Sequence, residues 1–282
     1  YNWYCVDHVG YETNPRHRDM GYHNVFDHYR EMLSATGSDQ DGLHFHYHPI
    51  SFSRQAHRSA THFFAHSDSL FQILARRIID RKWFPCAYRP GFHTIRPDSH
   101  WFLEQYFPFV FANQACGADA HSQPDIERGR FGDWSRAPQT WEPYHPGQDD
   151  YQSTGDCRYW MLRCLNVGTR TRLLEQEHVN QAFSEAEQGK PVVLGFTNHD
   201  YRDMRVDIDR VRSMLSIAAK KYPEVEFKFS EARSAIRQAL NLKTQAPCRL
   251  DIRFEGNLLR ISSDKPTFGP QPFLALKDVT GN

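Results

Sequence analysis

The sequence predicts an α/β fold: a parallel sheet or (β/α) barrel, with a small β appendage at the C-terminal end. Three observations predict it. Short apolar runs alternate with amphipathic helical stretches over residues 1–240, the pattern of parallel strands joined by helices. Polar residues suited to chemistry fall just after several of those runs, where barrel active sites sit. After residue 246 the apolar residues recur at every second position instead, as in a half-buried antiparallel sheet.

The elements follow in order. Residues 1–6 are aromatic and apolar and read as a strand, followed by a loop at 10–18. Val25, Phe26, Tyr29 and Leu33 fall on one face of a helix that Gly37 can end. Residues 42–47 read as a strand. Ser67-Asp68-Ser69 can cap a helix reaching about Lys82, with Leu70, Ile73, Leu74 and Ile78 inward. A short strand at 84–88 ends on Arg89-Pro90-Gly91-Phe92, Pro97-Asp98 starts a helix, and 107–112 is a further strand. Residues 117–156 are rich in Gly, Pro, Asp, Ser and Gln. An insertion of that length inside a domain reads as a functional loop, a lid or a substrate wall. Alternation resumes with a helix at 173–188, a buried-type strand at 191–196, a helix at 206–222, a strand at 225–229 and a helix at 230–240. The period-two stretches are 249–254, 258–262 and 273–276. The predicted division is a barrel over 1–245, carrying the 117–156 insertion, and a β appendage over 246–282 read as the start of an accessory module.

Composition narrows the function classes. Of the 282 residues 39% are hydrophobic and 24% charged, and the formal net charge is zero. That is globular, with no electrostatic footprint for nucleic acid. No run approaches a membrane span, and no signal peptide is visible. The six cysteines form no closely spaced pair, so buried free thiols are expected, with a cytoplasmic location for the chain as given and a secreted or envelope location if a leader preceded it. Nothing in the sequence sets the oligomeric state. Histidine is the unusual component: 12 of 16 lie in residues 1–100.

The residues most suited to chemistry are His44, His46 and His48, alternating in the run His-Phe-His-Tyr-His-Pro. On a strand the three imidazoles share one face, and converging imidazoles most often hold a transition metal, zinc first among them. Arg89, directly after a strand, can orient a buried carboxylate and tune its pKa. Asp133-Trp134 offers a carboxylate beside an aromatic wall. His199 follows the apolar strand 191–196 and suits a general acid. Asp7 closes the first strand.

As an ordered set these pieces resemble the NodB-homology polysaccharide deacetylases, carbohydrate esterase family 4. That family places five motifs on a distorted (β/α) barrel. Its pair of metal-binding histidines, four apart, is matched by His44 and His48, its arginine turn by Arg89-Pro90-Gly91-Phe92, its Asp-Trp by Asp133-Trp134 and its acid histidine by His199. Its first motif, an aspartate base and an aspartate ligand, has no match, and would lie upstream of Tyr1. His46 is then an outer partner or a replacement ligand. The resemblance implies a divalent metal, most commonly Zn2+, and a carbohydrate substrate that loses an N- or O-acetyl group. It also implies an oxyanion hole at Gly91 or Phe92, an acetyl pocket shaped by Trp134 and Tyr144, Arg89 steadying the base, and no nucleic-acid partner. Two other readings stand beside it. One is a deacetylase-like domain that binds glycan without cleaving it. The other is an amidohydrolase or phosphoesterase built on His44-x-His46.

Overall fold

The computed structural model describes residues 1–8, 24–48, 67–117, 131–243 and 247–280. Six strands run across one sheet in chain order: β1 (Asn2–His8), β2 (Gly42–Tyr47), β3 (Ala87–Pro90), β4 (Phe109–Asn113), β5 (Trp160–Asn166) and β6 (Gly195–Thr197). Every adjacent pair is parallel. An order without reversal lacks the switch point of a doubly wound sheet. It is the order of a (β/α) barrel, and the sheet curls into a half-barrel.

Among the described residues, helices occupy four of the five crossovers. α1 (Asn24–Thr36) lies between β1 and β2, and α2 (Ser67–Arg81) between β2 and β3. A 3₁₀ turn (Gly91–His93) and α3 (Pro97–Tyr106) link β3 to β4. α4 (Gln176–Glu187) joins β5 to β6, and α5 (Arg205–Lys221) and α6 (Ala232–Ala239) follow β6.

The two-residue period of a strand sorts side chains into two cores. Outward-facing Phe45, Tyr88, Val110 and Met161 pack with Leu70 and Leu74 of α2 and Phe102 of α3. Further along the sheet, Leu165 packs with Val179 and Phe183 of α4 and Leu215 of α5. Inward-facing Ala87, Phe109, Phe111, Leu162 and Cys164 meet Ala232 and Ile236 of α6. Ala87 and Phe109 start their strands, so α6 plugs the N-terminal end of the half-barrel. The C-terminal end is left to a cavity.

Several elements depart from expectation. β5 is absent from the sequence reading. Its run Trp-Met-Leu-Arg-Cys-Leu-Asn is buried on both faces beyond Trp160, so it shows no alternation, and it holds neither Val nor Ile. Its Arg163 is accommodated by the Ala115 carbonyl at 2.8 Å and by the Trp141 ring at 4.4 Å. The stretch 191–196 joins the sheet only at Gly195–Thr197. The stretch 225–229 makes no ladder and instead lines the cavity. In α2 it is Arg77, not Ile78, that is fully buried, its guanidinium 3.9 Å over the Phe26 ring.

The described part of the 117–156 insertion is packed down rather than free: Phe131, Trp134, Trp141 and Tyr144 are all buried. Beyond the barrel, β7 (Leu250–Glu255) and β8 (Leu258–Ser263) form a separate antiparallel hairpin. The stretch 273–276 adds no third strand. Phe273 turns back instead onto Phe71, Phe84 and Tyr106 of the barrel. Of the six cysteines, all free, four are buried. Among the described residues no helix is long and apolar enough to cross a membrane.

Candidate functional site

The inner face of β2 carries the three histidines, but at different depths. His44 lies near the plugged end. Its Nε2–H donates to Asn2 Oδ1 at 2.8 Å, and the same oxygen accepts from the Ala232 backbone N–H at 2.7 Å. Glu231 Oε1 is 3.5 Å from that Nε2. Glu231 is also the N-cap of α6, accepting from the Arg233 and Ser234 backbone N–H groups. Its Nε2 committed in this way, His44 fastens β2 to β1 and α6. A Cβ added at Gly42 would overlap its ring, so the close approach requires glycine there.

His46 and His48 belong to the open end. His46 Nδ1–H donates to the Arg89 carbonyl at 2.7 Å, and its Nε2 lies 3.0 Å from His48 Nε2. A carbonyl can only accept, so this bond fixes the His46 tautomer with its Nε2 lone pair turned toward His48. Burial, with the charges of His48 and Arg89 adding to it, holds His46 well below the usual imidazole range. It is therefore neutral at pH 7.

Arg89 is the penultimate residue of β3 and is buried. Its Nη2 donates to His93 Nε2 at 2.7 Å. Burial and then the Arg89 and Arg172 charges keep His93 neutral, which suits it as the acceptor. The turn between them is left-handed at two successive residues, Phe92 (φ 53°) and His93 (φ 49°), a conformation costly for side chains with a Cβ. It is held from outside. Gly132 N–H donates to the Phe92 carbonyl at 3.0 Å, and the Trp134 indole donates to the His93 carbonyl at 2.8 Å. A Cβ at Gly91 would overlap the His48 imidazole, so Gly91 sets how closely β2 and β3 ends approach.

His199 follows β6, its backbone N–H bonded to Asn198 Oδ1 at 2.8 Å, and it lies close enough to His46 to influence its protonation. His46, His48, Arg89, Phe92, His93 and His199 all line one cavity of about 1350 Å3 on the inner face.

Four expected site residues lie elsewhere. Trp134 is fully buried and Tyr144 nearly so, its hydroxyl donating to the Tyr151 carbonyl at 3.0 Å. Both belong to the outer core, where no substrate reaches them. Asp133 is exposed on the loop; partial burial pulls its carboxyl up, but hydrogen bonds from Ser135 and Gln152 hold it below its ordinary range. Asp7 falls where the β1–β2 register shifts, between Val6 and His8; its side chain lies outside the described residues. Conversely, His93 had no spacing argument in its favour. Its position four residues after Arg89, across a Pro-Gly turn, was the available signal.

The donor set fits a metal in part, through two histidines. A tetrahedral ion with N ligands at about 2.0–2.1 Å separates them by roughly 3.3 Å, close to the His46–His48 spacing. The backbone bond that orients His46 is the second partner such ligands usually have. Among the described residues, no group of three or more His, Cys, Asp or Glu side chains could hold a metal ion. The pair that faces the cavity is thus His46 and His48, not His44 and His48. The chain matches no protein-family model, no curated protein and no solved structure.

Proposed function

We propose that the protein is a metal-dependent hydrolase that removes an acetyl group from a carbohydrate. The observation that supports it most is the His46–His48 pair. Its two Nε2 atoms meet at 3.0 Å, at the strand ends where barrel enzymes work, beside the arginine turn and opposite His199. His46 and His48 would hold the ion. A bound divalent metal such as zinc supplies a Lewis acid and lowers the pKa of water toward about 7.

The resemblance implies an aspartate base to take the water proton; the chain's own residues supply the positioning and the acid. Arg89 takes its carbonyl to His46 and its guanidinium to His93, so one residue orients both imidazoles. The backbone N–H groups of Gly91 or Phe92 would serve as oxyanion donors, each worth about 2.7–4 kcal/mol when well aimed. His199 is the group that protonates the departing amine or alkoxide. Phe92 lines the cavity, its ring 4.9 Å from that of His48, and excludes water from that side.

The full chain, loaded with zinc, should release acetate from acetylated glucosamine oligomers and stop when a chelator is added. Bound metal with no acetate from neutral or acidic acetylated sugars removes the reading. Gly91→Ala should lower zinc affinity about 10–100-fold, as loss of an orienting contact does, because the new methyl displaces His48. A zinc titration followed by a colorimetric competitor measures it. An unchanged affinity would mean His48 does not ligate.

A further inference from the structure

Arg89 has a guanidinium whose charge is not answered. It is 7% exposed, its hydrogen-bond partner is the neutral ring of His93, and its Nε has none. Among the described residues no carboxylate comes within 4.0 Å of it. Charges are rarely left buried without an opposite charge, because desolvation is expensive. The neighbours make it worse. Arg170, on the same cavity wall, opposes the Arg89 charge. Arg172, 1% exposed, adds its own toward His93. The hydroxyl of Tyr4, which also faces Arg89, has no hydrogen-bond partner.

Six acids line the cavity; Asp39 and Glu226 make no ion pair or hydrogen bond with the described residues, and Asp41 accepts from the Trp3 indole. Asp207 accepts from Arg202 and Asn198, Asp200 from Tyr29, and Glu231 caps α6. The loop that carries Arg170 is left-handed at two non-glycine residues, Arg170 (φ 76°) and Arg172 (φ 55°). Side chains with a Cβ adopt such angles at a cost, and residues that do so cluster at active sites, ligand clamps and switch regions. Around Arg89 and Arg170, the described residues place donors and positive charge with no carboxylate in contact.

We infer that this end binds an oxyanion carried by the substrate, a carboxylate or a phosphate on the sugar, held by Arg89 from below and Arg170 from the rim. This rests on the hydrolase reading and narrows its substrate to acidic sugars. Guanidinium forks match the planar faces of both anions.

Calorimetric titration of the full chain tests it, with N-acetylglucosamine, its 6-phosphate and N-acetylglucosaminuronic acid as probes. One acidic sugar should bind about tenfold or more tightly than the neutral one, the usual loss when a charged hydrogen bond is missing. Rising salt should erode the preference, and inorganic phosphate should compete if phosphate is the source. Arg170→Met should remove the preference and leave both neutral-sugar binding and thermal unfolding unchanged, since Arg170 is exposed. Equal binding of all three sugars overturns the inference, as does a preference that survives both Arg170→Met and Arg89→Met. Acetate release from neutral and acidic sugars alike, without an acid preference, sinks this inference and leaves the hydrolase standing. Arginine-dependent binding of the acidic sugar without acetate release does the reverse.

Discussion

Trp134→Ala is expected to destabilise the protein by about 3–5 kcal/mol, the usual cost of emptying a buried tryptophan site. The side chain is wholly buried in the outer core and stands 5.0 Å from the Tyr151 ring. Its indole also donates to the His93 carbonyl at 2.8 Å. The substitution therefore opens a void and releases a left-handed turn together. Trp134→Phe separates the two effects. It keeps most of the volume and loses the hydrogen bond, worth about 1 kcal/mol net, so stability should fall modestly while the Phe92–His93 turn loosens. Urea titrations give both values. A loss below about 1 kcal/mol for Trp134→Ala would show that the loop is not what holds the turn.

The same residue shows what was legible in the sequence. Asp133-Trp134 stands out on composition, and its proximity to the site is real. Yet it acts from behind the turn rather than from the cavity wall. Sequence spacing does not report which side of a sheet a long loop covers. The β2 histidines show a similar limit. Period two puts His44, His46 and His48 on one face, and they are on one face. It does not say that α6 folds over the strand's start and takes His44 into a bond with Asn2. That contact joins residues 42 positions apart, with the helix more than 180 residues on. The parallel sheet was legible from strand-helix alternation because strands consecutive in the chain are neighbours in the sheet. β5 escaped because burial on both faces erases alternation.

The arginines carry a related lesson. Arg77, Arg89, Arg163 and Arg172 are all buried, in a chain whose net charge is zero. Composition averages over them. Arg77 and Arg163 lie over aromatic rings, a desolvated arrangement in which the ring face offsets part of the cost. Arg89 is set apart because it lines a cavity beside a second positive charge.

Acid should unfold this protein over an unusually steep range. Burial is the leading cause of depressed pKa values at His44, His46 and His93. For His44 the value falls from 6.5 to about 4. Glu231, 3.5 Å away, pulls the other way, but burial wins. In the unfolded chain these rings take up protons near pH 6.5, while the folded chain resists. The unfolded state then binds more protons, so stability is intact above pH 6.5 and is lost as the pH falls toward 4. Each histidine contributes a slope of about 1.4 kcal/mol per pH unit in that window. Three together give roughly 4 kcal/mol per unit, large against a total of about 5–15 kcal/mol for a folded domain. Urea midpoints at pH 8, 7, 6 and 5 should be level at first and then drop sharply. His44→Gln should flatten the slope by about one third of that total. A stability constant from pH 7 to 5 would mean that the folded rings already carry charge. In that case His46 would not present a bare Nε2 to the cavity, because acid unfolding and ligand binding depend on the same unprotonated nitrogen.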